Sequence, residues 1–231
     1  STIETQQGGY AIIGGLARAG VWTGTAASFL NLHPVGPTSS FIIAMSASQQ
    51  AGLVVVGGQT HAGIWAGTSG SFQDLHPAGM MESSLSGTTG AQQVGYVKTA
   101  GGEIHAALWS GSAASFVDLH PPGATSSSLN ATTGSQQAGS ATFGGSEHAG
   151  LWSGSAGSFV DLNPPGSGQS RISAITGVRQ TGFARFGANS HAGFWSGSAG
   201  SFVDLHGALP ANYTESGGIA ISTVGATVLI A

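Results

Sequence analysis

Histidine and aspartate are the residues of this 231-residue chain best equipped for chemistry, and all eight histidines fall at recurring positions. His61, His105, His148 and His191 each stand four residues before a tryptophan, with Arg18 in that place in the first copy. His33, His76, His120 and His206 share a second position, where the fourth copy has Asn163. Asp74, Asp118, Asp161 and Asp204 share a third, where Asn31 stands first. Imidazoles and carboxylates are the usual material of acid–base catalysis and of metal ligation. A catalytic group, however, is normally one perturbed residue in one cleft, whereas these recur with the same neighbours. Recurrence points instead to packing and hydrogen bonding beside the tryptophan, whose indole N–H needs a partner when buried. Each strand offers a single histidine, so no local His-x-His chelate forms, and no metal or other cofactor is expected.

The tryptophans set the frame. Trp22, Trp65, Trp109, Trp152 and Trp195 are 43, 44, 43 and 43 residues apart, and the chain has no others. In the clearest copy Ser127 to Ala131, Ser140 to Phe143, His148 to Trp152 and Ser158 to Leu162 read as four short strands, a to d. Gly-rich turns separate them and no helical period interrupts. Four antiparallel strands in about 43 residues match a propeller blade, a sheet that cannot bury both faces alone and needs neighbours. The expected fold is therefore all-β: a single domain over residues 1–231, a five-bladed β-propeller with four antiparallel strands per blade. The first copy starts at strand b, with Gln6-Gln7-Gly8-Gly9-Tyr10. Gly218 to Ser222 resembles strand a of the second copy, Phe41 to Met45, so the N- and C-terminal strands are expected to share a blade and close the ring. That leaves Ala226, Thr227, Val228, Leu229, Ile230 and Ala231 as a surplus strand and a candidate for assembly.

Composition narrows the function. Only 6% of residues are charged, against roughly a quarter in ordinary domains. The five cations are scattered and the formal net charge is -4, which argues against nucleic acid. No apolar run approaches the roughly 20 residues of a membrane span. There is no cysteine, hence no disulfide and no thiolate site. The turn Gly154-Ser-Ala-Gly157 precedes no helix that could hold a phosphate, and Ser153-Gly154-Ser155 lacks the setting of a nucleophile elbow. Asn130-Ala-Thr132 and Asn212-Tyr-Thr214 fit the glycosylation sequon, a short and often accidental pattern.

The segment His148-Ala-Gly-Leu-Trp152, the pair Asp161-Leu162 and the stretch Leu129-Asn130-Ala-Thr-Thr-Gly134-Ser-Gln136-Gln-Ala-Gly139 resemble the bacterial extracellular HAF repeats. Gly or Ala replaces that family's Phe in each copy. The resemblance spans essentially the whole chain and implies secretion and a propeller-like fold, with no established activity. Weak charge and a surplus apolar strand lead to the expectation of a non-enzymatic extracellular structural protein. Such a protein is expected to self-associate into a homo-oligomer or polymer, such as a filament or surface assembly. The alternative is a multivalent, lectin-like carbohydrate binder with up to five equivalent pockets between blades. An enzyme is not expected, because glycosidic hydrolysis needs two converging carboxylates and the few glutamates lie mostly at turns.

Overall fold

The computed structural model describes residues 2–3, 5–224 and 227–231. Its contacts divide the chain into two compact units, residues 1–117 and 118–231. The first unit carries β1 (Thr2–Ile3), β2 (Gln6–Ile13), β3 (Leu16–Trp22) and β4 (Leu30–Asn31), then β5 (Ser39–Met45), β6 (Gln50–Val56), β7 (Gln59–Trp65) and β8 (Gln73–Asp74). The third sheet has β9 (Glu82–Thr88), β10 (Gln93–Lys98), β11 (Ile104–Trp109) and β12 (Val117–Asp118), the last straddling the boundary. The second unit carries β13 (Ser126–Thr132), β14 (Gln137–Phe143), β15 (Ser146–Trp152) and β16 (Val160–Asp161). It continues with β17 (Gln169–Thr176), β18 (Arg179–Phe186), β19 (Asn189–Trp195), β20 (Val203–Asp204) and a hairpin of β21 (Ile221–Val224) and β22 (Thr227–Ile230). Each group of four forms one sheet in sequence order, with its strands paired antiparallel.

Strand d is shorter than the alternation of Ser158 to Leu162 predicts. Ala156–Ser158 is a turn of 3-10 helix, leaving only Val160–Asp161 as strand. Ser158 causes this: its Oγ accepts the N–H groups of Ser153 and Ser155 at 2.8 and 3.4 Å and donates to Ser155 O at 2.6 Å. Such local bonds offer the backbone an alternative to the ladder. A buried glutamine at the start of strand b ties the turn down. Oε1 of Gln50, Gln137 and Gln180 accepts from the N–H of Gly67, Gly154 and Gly197 at 2.8, 2.8 and 3.0 Å.

The core lies between sheets, which is why single sheets need their neighbours. In the first unit Ala19, Val21 and Leu32 of the first repeat pack with Ile42, Val54 and Trp65 of the second. Ala51, Ala62, Ile64 and Leu75 pack in turn with Leu85, Val97, Ala107 and Trp109. In the second unit Ala138, Ala149, Leu151 and Leu162 meet Ile172, Ala184 and Trp195. Trp152 and Trp195 are fully buried, and each donates its indole N–H back to the preceding repeat, to Leu119 O at 2.9 Å and Leu162 O at 2.8 Å.

At the ends, Thr2 and Ile3 pair with Gln7 and Gln6, so β1 lies beside the opening residues of β2. The C-terminal strand β21 pairs with β22, Ile221 opposite Ile230 and Val224 opposite Thr227. Of the expected surplus strand, Thr227 to Ile230 thus form β22, whereas Ala226 lies outside the described residues. Ser216, upstream of β21, bonds to the fifth sheet as the serine at the second position of strand a does elsewhere. Its Oγ accepts from Ala192 N at 2.9 Å and lies 2.8 Å from His206 Nδ1, as Ser170 Oγ accepts from Ala149 N at 2.9 Å.

Candidate functional site

The three recurring polar positions form two linked arrangements. Strand c supplies a histidine and strand d an aspartate, and where they meet Nδ1 of His61, His148 and His191 lies 2.8, 2.7 and 2.7 Å from Oδ2 of Asp74, Asp161 and Asp204. A carboxylate only accepts, so Nδ1 carries a proton, and whenever the ring is neutral Nε2 is its acceptor. The second carboxylate oxygen closes an Asx turn, accepting the N–H two residues on: His76, His120, Asn163 and His206 at 2.8 Å each. The aspartate therefore ends strand d and orients the strand-c ring at once. His105 and Asp118 hold the same strand positions in the third sheet. Burial pushes the Asp204 carboxyl up, but hydrogen bonds from His191 and from the His206 N–H outweigh it and hold the group below its ordinary value.

The strand-d histidines perform a different task. His76 donates Nε2–H to Met80 O at 3.1 Å, so its Nδ1 accepts from Ser83 Oγ at 2.8 Å, and that oxygen accepts from Ala62 N at 2.8 Å. A proton on both nitrogens would break this chain of bonds. Burial is the main cause that lowers the His76 pKa, and His61, stacked on it at 3.9 Å, adds to the effect. The first repeat uses the opposite tautomer. Arg18 can only donate, so His33 Nε2 accepts from it at 2.6 Å and Nδ1–H donates to Ser40 Oγ at 2.7 Å. Burial, then Arg18, lowers the His33 pKa. In the fourth repeat Asn163 replaces the ring and its Oδ1 accepts from Ser170 Oγ at 2.6 Å. These groups are rivets between one sheet and the next.

One cleft stands out. It has a volume of about 440 Å³ and is lined by Pro121, Pro122, Phe143, His148, Ala156, Gly157, Phe159 and Asp161. The Phe143 ring lies 5.7 Å from His148 and 5.5 Å from Phe159. Phe143 is the last residue of β14, placed there by a tight turn whose Gly144 and Gly145 both have positive φ, 58° and 89°, as a type I′ hairpin requires. His148 Nε2 has no hydrogen-bond partner among the described residues, so a polar acceptor sits beside two phenyl rings and two prolines. That combination suits a ligand with an apolar face and hydroxyl groups. Trp152, by contrast, is buried beneath the site, packed on Phe159 at 5.0 Å.

All eight lining residues recur 43 positions on, as Pro164, Pro165, Phe186, His191, Ala199, Gly200, Phe202 and Asp204. Phe186 lies 5.3 Å from His191 and 5.9 Å from Phe202, repeating the first set. The other repeats lack the paired phenyl wall: Val56 and Ile13 occupy its place at the ends of β6 and β2. Histidine and aspartate are legible as a recurring pair in the sequence; Phe143, Phe159, Pro121 and Pro122 are not singled out by it. Their only signal is the strict recurrence at Phe186, Phe202, Pro164 and Pro165. Among the described residues no cluster of three or more potential metal ligands forms, and no helix is long and apolar enough to cross a membrane.

No family model matches the chain, and neither does any curated protein. Solved structures do. TolB from Acinetobacter baumannii superposes with a TM-score of 0.60 at 11% identity, over 86% of this chain and 50% of that one. A puromycin hydrolase S511A mutant complexed with PGG gives 0.58 at 10% identity, over 93% of this chain and 37% of the other. Puromycin hydrolase itself gives 0.52 at 12% identity, over 82% and 34%. The chain thus spans half or less of the length of these proteins. At such identities the likeness shows the fold alone: an all-β, propeller-like arrangement of four-stranded sheets.

Proposed function

We propose that this chain is a five-bladed propeller, its ring completed by strands from both ends, that binds carbohydrate at several sites outside the cell and catalyses no reaction. The observation that carries this reading is the cleft at His148 and its residue-for-residue recurrence at His191. A sugar ring offers an apolar face to Phe143 and hydroxyls to His148, and weak sites gain avidity when several act together. Against hydrolysis stands the cleft's single carboxylate: both oxygens of Asp161 are engaged, one by His148 and one by the Asn163 N–H. Glycosidic hydrolysis uses two such groups. The resemblance to HAF repeats supports the extracellular placement. The test is a glycan array probed with the full chain and with His148→Ala/His191→Ala. Selective binding by the parent and its loss in the variant are expected; silence of the parent on the array overturns the reading.

Self-association is a second reading, favoured by the terminal hairpin, where Leu229 is 51% exposed and Ile219, just before it, 75%. An apolar strand edge of this kind can add to a sheet of another copy. On this reading light scattering finds concentration-dependent oligomers of the parent chain that Leu229→Lys abolishes. A parent that stays monomeric at every concentration sinks it.

A further inference from the structure

The five repeats are not equivalent as binding sites. The histidine–aspartate pair is present at His61 in the second repeat as well as at His148 and His191, with Nδ1 to Oδ2 distances of 2.8, 2.7 and 2.7 Å. A pair that served the ligand alone would not persist where the aromatic wall is missing. Its Asx-turn half explains that persistence: Asp74 Oδ1 accepts from His76 N at 2.8 Å whether or not anything binds. What distinguishes two of the repeats is the second phenyl, Phe143 and Phe186, where the second repeat has Val56. A phenyl at this place costs the fold something, because a large apolar side chain stays only partly buried at a hairpin end. Phe143 faces a histidine and another phenyl, and Phe186, in the same place of the next repeat, also packs against the core of its unit. The first repeat lacks the pair altogether, since Arg18 donates to His33 and Asn31 stands in for aspartate.

Resting on the carbohydrate reading, we infer that the chain is bivalent: its sites are the His148 and His191 clefts, each taking a neutral pyranose with its apolar face on Phe143 or Phe186 and a hydroxyl donated to the free imidazole Nε2. Neutrality follows from the lining, which holds the carboxylate of Asp161 and no lysine or arginine. An acidic sugar would bring a second negative charge beside it with no cation to offset the repulsion.

Nuclear magnetic resonance on the full chain tests this site by site. The probes are the methyl glycosides of glucose, galactose, mannose, fucose and N-acetylglucosamine, and methyl glucuronide, titrated while the imidazole and phenyl signals are followed. At least one neutral glycoside is expected to shift His148 and His191 and to leave His61 and His105 unmoved, with the glucuronide weaker than the glucoside. Phe143→Val, which installs the residue of the second repeat and so keeps a natural side chain at the hairpin end, should weaken the His148 site roughly tenfold and spare His191. The converse variant, Val56→Phe with Val35→Pro, where Val35 stands after Pro34 as Pro122 stands after Pro121, should bring His61 into the responding set. Equal response of all the strand-c histidines, indifference to Phe143→Val, or a glucuronide that binds as well as the glucoside overturns the inference and leaves the carbohydrate reading standing. If no glycoside shifts any signal, the carbohydrate reading itself falls.

Discussion

Gly63 and Gly139 are both strand glycines, but a methyl group added at each would meet different things. At Gly63 it would strike the edge of the Phe72 ring, as at Gly20, Gly150 and Gly193 it would strike Phe29, Phe159 and Phe202. The third repeat shows how the fold accommodates this. It has Ala107 at this position, and there the tryptophan–phenylalanine separation is 5.7 Å, against 4.8 to 5.2 Å in the other four. A ring can move. At Gly139 the methyl would meet the backbone carbonyl of Ser128, opposite the bulge at which the β13 register shifts between Leu129 and Ala131. Gly52, Gly95 and Gly182 face carbonyls in the same way, and a carbonyl in a ladder cannot turn aside without breaking it. Gly63→Ala should therefore cost about 1 kcal/mol and Gly139→Ala about 3 kcal/mol, the two ends of the overpacking range. Urea unfolding of both variants measures the difference; equal costs would show that the bulge yields as readily as the ring.

At the scale of elements, the parts of the fold that are legible in the sequence are those set by local pattern. Tryptophan spacing and paired glycines mark four strands per repeat, because turns with positive φ need glycine and each sheet must hide an apolar face. Ser127 to Ala131 and Ser140 to Phe143 read one or more residues short of β13 and β14, since ladder ends such as Gln137 and Thr132 carry polar side chains that resemble turns. Strand d reads too long for the opposite reason: Ser158-Phe159-Val160-Asp161-Leu162 alternates as a strand should, while the Ser158 hydroxyl coils its first residue into the 3-10 turn. The glutamine clamps and serine rivets are illegible, because Gln137 meets Gly154, and Ser170 meets Ala149, only after the chain has folded back. The cleft shares that fate. Pro121 and Phe143 come to line one cleft only once the chain has folded, and nothing in the spacing of two such residues announces it.

Across the whole molecule, the rivets make stability depend on pH in a defined direction. His33 and His76 both titrate below the ordinary histidine value of 6.5, each chiefly through burial. In the unfolded chain the same rings take up protons near 6.5, so below that pH the unfolded state binds more protons than the folded one. Their contribution is complete above about pH 6.5 and is lost as the pH falls through the window between the unfolded and folded values. Asp204, held below its ordinary 3.8, adds a separate loss at lower pH, below that value. Asn163 shows that the rivet does not need a ring, since its amide oxygen takes the serine hydroxyl at 2.6 Å and cannot protonate in this range. His76→Asn should therefore melt close to the parent at pH 7.5 and lose less stability between pH 7 and 5, because one of the two groups that drive the loss is gone. Melting temperatures across that range measure it. An equally steep fall in the variant would mean that His76 takes up its proton over the same pH range folded and unfolded and that the acid sensitivity resides elsewhere.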